Sequence, residues 1–143
     1  MIAYLDSSSI VKWFFDEPFT ELARDIKNKA EIVVTSLLAF PEVLSAINRA
    51  CREGRCLRSE MELVRKEFLL IWPNFQWIRV NEELMQKAGE LIFKHGLRGL
   101  DAVHLASALL LKQEGGAIDL FFSCFDQNLN LAAQEEGFLT HQL

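Results

Sequence analysis

The sequence predicts a three-layer α/β/α domain in which helices cover both faces of a central parallel sheet of four to five strands. Short apolar runs alternate along the chain with longer segments of helical spacing. This alternation is typical of parallel sheets, whose successive strands are joined by helices. The chain has 143 residues, half of them hydrophobic, and no repeat or Pro/Gly/Ser-rich linker divides it. We therefore expect a single domain over residues 1–143.

The first part of the chain predicts the order strand, helix, helix, strand. Residues 2–5 are a short apolar run and predict a buried strand. The serines after Asp6 are N-cap candidates for a helix that is broken by Pro18. TELARDIKNK, residues 20–29, predicts a short helix with a polar face. The β-branched EIVVT, residues 31–35, predicts the second strand.

Two longer helices and a third strand are predicted next. Residues 36–51 have strong helical spacing, and Pro41 is expected to mark a kink. Residues 59–72 predict another helix, with Ser59 as the N-cap of a capping box. FQWIRV, residues 75–80, alternates in the manner of a half-buried strand.

The last part of the chain repeats the alternation of helices and strands. Asn81 is expected to cap a helix over residues 82–95, which Gly96 ends. The remaining predicted elements are a helix from Asp101 to Lys112, a strand over 117–123, a helix from Asp126 to about Glu136 and a short strand in GFLTH.

Four acidic residues lie within apolar sequence, where an unpaired carboxylate is costly to bury. They are Asp6, Glu42, Asp101 and Asp126. In an open parallel sheet the carboxyl ends of the strands share one edge, and ligands bind there. Carboxylates that meet at this edge need a cation between them, and Mg²⁺ prefers oxygen ligands. The pattern therefore predicts metal-assisted phosphodiester chemistry.

Each acid also has a structural interpretation. Asp6, Asp101 and Asp126 stand at predicted helix N-termini, where a carboxylate caps backbone N–H groups. Glu42 is predicted to lie mid-helix in an apolar segment, where a glutamate normally has a partner or a task. His104 lies three residues after Asp101, and we interpret it as a hydrogen-bonded structural histidine rather than a metal ligand.

Composition and charge restrict the classes of partner. The net charge of −5 argues against broad electrostatic binding of nucleic acid. A local basic cluster remains, and it is equally consistent with a solvated helix face and with a patch that steers phosphates; its members are Arg49, Arg52, Arg55, Arg58, Arg65 and Lys66. The three cysteines form no CxxC motif and predict free thiols in a reducing compartment.

The N-terminal segment and the apolar runs bear on localisation. MIAYLDSSS lacks a basic region and reaches Asp6 too early for a signal peptide. The apolar runs are shorter than the roughly 20 residues that a membrane span needs. We therefore expect a soluble, cytoplasmic protein without a membrane partner.

Four blocks of sequence together resemble the PIN-domain family, and more narrowly its VapC-type toxin ribonucleases. YLDSSSIVKWFFDE is similar to the opening block of the family and SLLAFPEVLSAINRACREG to its second block. LRGLDAVHLASALLL closely matches the third block, and DLFFSCFDQNLNLAAQEEGF resembles the last. The resemblance implies a PIN-like α/β/α nuclease that hydrolyses RNA and is the toxin of a type II toxin–antitoxin pair.

The resemblance also implies cofactor, site residues and partners. Mg²⁺ or Mn²⁺ would be held chiefly by Asp6 and Asp101, with Glu42 and Asp126 completing the site. Ser8 and Ser123 would hydrogen-bond to these carboxylates without touching the metal. The partners would be RNA, a small antitoxin protein and a second copy of the chain. The family usually has Thr or Ser two residues before the last Asp, where this chain has Cys124.

Two alternatives to a metal-dependent ribonuclease remain. One is a catalytically silent PIN-like module that binds RNA or protein. The other is a phosphoryl-handling α/β domain, such as a receiver or a phosphatase with an aspartate nucleophile. The second alternative is weak because Asp6 is followed by three serines, whereas such a phosphatase needs another Asp two residues on.

Overall fold

The computed structural model describes residues 1–116 and 119–143. In these two stretches the chain forms one sheet of five parallel strands in the order β3-β2-β1-β4-β5. The predicted parallel sheet is therefore confirmed. Its strands are β1 (Ile2–Leu5), β2 (Ile32–Ser36), β3 (Gln76–Ile78), β4 (Leu120–Ser123) and β5 (Leu139–Thr140).

Helices cover both faces of the sheet, as the sequence predicts. The helices are α1 (Ser7–Val11), α2 (Thr20–Lys29), α3 (Ala39–Arg52), α4 (Arg58–Ile71), α5 (Glu82–His95), α6 (Gly99–Glu114) and α7 (Gln127–Glu135). A 3-10 turn at Trp72–Asn74 follows α4 and contains the helix-breaking Pro73. No helix in the described part of the chain is long and apolar enough to cross a membrane.

Each face of the sheet has its own hydrophobic core, because successive side chains of a strand point to opposite faces. Ala3 and Leu5 of β1 pack with helices α1 to α4. Tyr4 of the same strand, with Phe122 of β4, packs with helices α5 to α7. All three β1 residues are fully buried, as expected for a parallel strand covered on both sides. This gives the three layers of the predicted α/β/α architecture.

The order of the strands places a binding crevice beside β1. The chain adds β2 and β3 on one side of β1 and then returns to add β4 and β5 on the other. Leu5, the last residue of β1, pairs with Ser123, the last residue of β4. In open α/β sheets ligands bind beyond the carboxyl ends of the strands at such a reversal of strand order. Asp6 directly follows Leu5 at this point.

Two predicted helix starts are wrong, for different reasons. Helix α3 begins at Ala39 because Ser36 is the last residue of β2 and its hydroxyl accepts the Leu38 N–H at 3.1 Å. Pro41 then falls in the first turn, where its missing N–H breaks no hydrogen bond, so no kink is needed. Helix α4 begins at Arg58, and therefore Ser59 is not its N-cap.

The remaining elements differ from prediction mainly in length. Helix α1 ends at Val11 instead of running to Pro18, and β3 covers only the middle of residues 75–80. The predicted caps of α5 are confirmed, since the Asn81 side chain accepts the Leu84 N–H at 2.8 Å and Gly96 has a φ of 67°. Of the strand predicted over 117–123, residues 117 and 118 lie outside the described residues, and β4 covers 120–123.

Candidate active site

A cavity of about 720 Å³ lies beyond the carboxyl ends of β1 and β4 and is lined by all four predicted acids. We call it the acid cavity. Asp6 follows β1, and Asp126 comes three residues after β4. Glu42 enters from the first turn of α3 and Asp101 from the first turn of α6. All four predicted acids thus lie around the same cavity at one edge of the sheet, and their role as a metal site stays a prediction.

Asp6 is the most deeply placed of the four, with 5% of its surface exposed. It is the N-cap of α1, and its Oδ1 accepts the Ser9 N–H at 3.0 Å and the Ser8 hydroxyl at 2.7 Å. Burial raises the pKa of the Asp6 carboxyl, and the nearby Asp101 charge adds to this. The hydrogen bonds from Ser8 and Ser9 oppose the rise in the pKa of Asp6. The 2.7 Å contact of the Ser8 hydroxyl also restrains the Asp6 carboxyl.

Asp101 and Asp126 share one cationic partner, Arg98. Its Nη2 lies 3.1 Å from Asp101 Oδ2 and 3.5 Å from Asp126 Oδ2. Asp101 is the third residue of α6 and does not cap it, which corrects the prediction that Asp101 opens the helix. Asp126 does cap α7, since its Oδ1 accepts the Leu129 N–H at 3.0 Å. The charges of Asp101 and then Asp126 raise the pKa of the exposed Arg98 guanidinium.

Glu42 is held by a chain of two hydrogen bonds that leads to the buried Tyr4 of β1. Glu42 Oε1 lies 2.8 Å from His104 Nε2, and His104 Nδ1 lies 2.8 Å from the Tyr4 hydroxyl. A neutral imidazole with its proton on Nε2 satisfies both contacts, because Tyr4 then donates to Nδ1. The expected hydrogen bonding of His104 is thus confirmed. Glu42 lies in the first turn of α3 and not mid-helix as predicted.

The chemistry of the acid cavity suits a hard divalent cation, although the side chains do not converge on one point. The four carboxylates offer the all-oxygen ligand set that Mg²⁺ and Mn²⁺ favour. Within residues 1–116 and 119–143, however, no three His, Cys, Asp or Glu side chains are grouped closely enough to hold a metal ion. Arg98 already binds two of the carboxylates. A cation shared by Asp101 and Asp126 would have to displace the guanidinium from at least one of them.

Ser123 does not contact the acid that it was expected to support. Its hydroxyl is buried and lies 2.9 Å from Ser9 Oγ and 2.8 Å from His141 Nε2. Its backbone carbonyl instead accepts the Asp6 N–H at 3.1 Å and the Ser9 hydroxyl at 2.7 Å. Ser123 thus supports Asp6 through the main chain. The thiol of Cys124 is buried and reaches only the Asp126 carbonyl, at 3.8 Å.

The contribution of the buried His141 to the stability of the fold depends on pH. Burial lowers the pKa of His141 to about 4 from its usual 6.5. The unfolded chain therefore takes up a proton at higher pH than the folded protein does. The stability that the neutral imidazole contributes is fully present above pH 6.5 and is lost as the pH falls toward about 4. After allowance for solvent screening we expect the loss to be about 2 kcal/mol.

This prediction is checked by urea melts of the parent and of His141→Gln, across pH values from above 6.5 down to about 4. At the highest pH the parent should be more stable than His141→Gln. The difference between their free energies of unfolding should shrink as the pH falls. The raised pKa of Asp6 makes the folded protein less stable as the pH rises, which is the opposite direction. Because both proteins contain Asp6, this effect cancels in the comparison. A difference that stays constant with pH would contradict the prediction.

Two cationic side chains of the acid cavity were missed by the sequence analysis. Lys12 lines the cavity and binds Glu17 Oε1 at 3.0 Å, five residues along the chain. Arg98 precedes the first turn of α6, where a positive charge opposes the helix dipole and therefore needs a partner. Its spacing of three residues from Asp101 is the signal that could have found that partner.

Comparison with known proteins places the chain among characterised families. The family model for the PIN domain matches residues 3–133. Ribonuclease VapC45 of Mycobacterium tuberculosis is 32% identical over 136 residues, which cover 95% of this chain and 92% of the relative.

Two solved structures share the fold at lower identity. The crystal structure of Mycobacterium tuberculosis VapC20, a Sarcin-Ricin loop cleaving toxin, has a TM-score of 0.66 at 18% identity and covers 96% of both chains. A toxin–antitoxin complex from Klebsiella pneumoniae has a TM-score of 0.56 at 16% identity and covers 83% of both chains.

Proposed function

Because the chain belongs to the PIN-domain family, we propose that it is a ribonuclease of the VapC type, the toxin of a type II toxin–antitoxin pair. It hydrolyses RNA phosphodiester bonds with the help of a divalent metal ion. The observation that carries this proposal is the acid cavity, in which four carboxylates from four separate segments line one space at the reversal of strand order. In the described part of the chain, Asp6 and Glu42 of this cavity have no ion pair with Arg98 or Lys12, so a divalent cation would compensate charge that the protein's own cations leave.

The family resemblance supports the following roles for the four acids. Asp6 and Asp101 would be the main ligands of the ion, and Glu42 and Asp126 would complete the site directly or through water. A bound Mg²⁺ or Mn²⁺ supplies activation of water and stabilisation of charge at the phosphate. Ser8 fixes the rotamer of Asp6 through its 2.7 Å hydrogen bond, so the second carboxylate oxygen of Asp6 is free to face the cavity.

We further propose a small antitoxin and a homodimer as the assemblies of the protein. The toxin–antitoxin complex from Klebsiella pneumoniae shares the fold and supports the first of these. An inhibitor of an acidic cavity should present a cation, most effectively an arginine that pairs with carboxylates. Helix α4 exposes Leu63 and Leu70, which are seven residues apart and so lie on one helix face; they are 61% and 77% exposed. This face suits contact with another chain.

A catalytically silent PIN-like module that binds RNA or protein is the second candidate. The contact of Arg98 with Asp101 and Asp126 favours it, since this internal cation already compensates two of the acids. The two candidates differ in one measurable property. A silent module binds RNA without cleaving it, whatever metal is present.

The test is incubation of the purified protein with a panel of structured and single-stranded RNAs. Reactions contain chelator alone, Mg²⁺ or Mn²⁺, and the products are separated by length. We expect discrete internal cleavage that requires the divalent ion and that stoichiometric antitoxin suppresses. RNA that stays intact in every metal, while still binding the protein, would favour the silent module and contradict the proposal.

A further inference from the structure

A second cavity of about 630 Å³ opens directly beside the acid cavity, between α1, α3 and the start of α6. We call it the arginine groove, because Arg49 and Arg55 lie among its lining residues. The two cavities share Ser7, Ser8, Glu42 and Leu100, so they form one continuous depression. A ligand bound at the acids can therefore reach past these residues into the groove along α3.

One face of α3 connects the two cavities. Glu42, Ser45, Ala46 and Arg49 all line the arginine groove. Their spacing of three, four and seven residues puts them on the same side of the helix. Seven residues at a rise of about 1.5 Å each place Arg49 about 10 Å along the helix axis from Glu42. The helix thus presents an acid at the cavity end and a guanidinium at the far end.

Arg55 reaches the same end of the groove from the turn after α3. Gly54 has a φ of 75°, and the Arg55 N–H returns to the Ala50 carbonyl at 2.9 Å, so the chain folds back sharply. The Arg55 guanidinium forms ion pairs with Glu17, which also lines the groove, at 3.7 Å and with Glu53 at 3.3 Å, so a phosphate bound by Arg55 would have to share it with these carboxylates. Arg49 is exposed and forms no ion pair within the part of the chain that the structure describes. It is therefore free to bind an anion.

A polyanionic substrate needs such cations in this molecule. The chain carries a net charge of −5, and the acid cavity concentrates negative charge where the scissile phosphate must approach. Guanidinium groups bind phosphate oxygens through paired hydrogen bonds. Between the acids and the arginines, Val11, Leu38 and Pro41 offer apolar surface for a ribose or a base.

We propose that the arginine groove binds the RNA strand on one side of the scissile bond, with Arg49 and Arg55 contacting its phosphates. This inference rests on the proposed ribonuclease function and specifies where the substrate lies. RNA is favoured over an acidic protein segment because the groove runs without interruption into the cavity that performs phosphodiester chemistry. The contacts are to the backbone and therefore act on RNAs of any sequence.

Binding of a labelled single-stranded RNA tests the proposal. It is measured by fluorescence anisotropy in an Asp6→Asn background, which leaves the RNA intact. Arg49→Gln and Arg55→Gln are each expected to weaken binding several-fold and to reduce the slope of log affinity against log salt by about 0.7. Arg52→Gln is the matched control, because Arg52 is an exposed arginine of the same helix that does not line the groove. It should change neither quantity.

A second readout separates this proposal from the proposed function. In the active protein Arg49→Gln should slow cleavage of long RNA about as much as it weakens binding. Hydrolysis of bis(p-nitrophenyl) phosphate, which is too short to reach the arginines, should be unaffected.

A parent protein that cleaves nothing refutes the proposed function. A parent that cleaves RNA, with Arg49→Gln and Arg52→Gln binding it equally well, refutes the arginine groove alone. If Arg49→Gln weakens binding of the antitoxin and not of RNA, the groove belongs to the protein partner and the proposal is wrong.

Discussion

Replacing Asp6 with asparagine is expected to reduce metal-dependent RNA cleavage by at least about 100-fold, the upper end of the loss seen for groups that only support a metal ligand. The change removes the negative charge that the proposed metal ion would need at the most buried of the four acids. The fold should survive, because asparagine is as good an N-cap as aspartate and its amide oxygen can still accept the Ser9 N–H. Stability in the absence of metal should change little, since burial already penalises the Asp6 charge.

The measurement is a cleavage time course with Mg²⁺, together with denaturant melts with chelator and with Mg²⁺. The parent should gain stability from Mg²⁺ in proportion to occupancy of the site, and Asp6→Asn should gain much less. Asp16→Asn is the matched control, because Asp16 is 92% exposed, pairs with the exposed Arg24 and does not line the acid cavity. Asp101→Asn should behave like Asp6→Asn. Cleavage that persists unchanged in both variants would refute the assignment of the acid cavity as the catalytic site.

The parts of the site that sequence predicts well are those in which position follows from local chemistry. Asp6 follows an apolar strand and precedes a run of serines, so its place at the carboxyl edge of the sheet is fixed within a few residues. Asp126 caps its helix as predicted for the same reason. The parallel sheet follows from alternating strands and helices, because strands joined by helices run in the same direction.

The parts that sequence predicts poorly depend on contacts between distant segments. Asp101 looks like a helix cap in isolation, yet Arg98 takes that place and links Asp101 to Asp126. His141 stands near the chain terminus, and only the pairing of β4 with β5 buries it against Ser123. The contacts of Arg98 with Asp126 and of Ser123 with His141 join residues that are far apart in sequence and carry no periodic signal, because a hydrogen bond constrains two residues without imposing a repeat on the sequence between them.

Disrupting the chain of hydrogen bonds from Tyr4 through His104 to Glu42 should cause the largest loss of stability among the variants proposed here. His104 is 2% exposed, so His104→Ala leaves a cavity and removes the buried partner of the Tyr4 hydroxyl. We expect a loss of about 3 kcal/mol from these two effects together. Tyr4→Phe removes a single hydroxyl and should cost about 1 kcal/mol. Denaturant melts of the two variants at neutral pH measure the difference.

His104 should also affect catalysis, because it fixes the side chain of Glu42 at the edge of the acid cavity. Loss of a group that orients a metal ligand typically reduces activity by about 10–100-fold, and we expect His104→Ala to fall in this range under conditions in which it stays folded. If His104 acts through Glu42, the double variant with Glu42→Gln should be no less active than Glu42→Gln alone. Tyr4→Phe leaves the 2.8 Å contact between His104 and Glu42 in place and should retain most of the activity. If the double variant loses activity by the sum of the two single losses in activation free energy, His104 and Glu42 act independently. The buried histidine would then stabilise the fold without positioning Glu42.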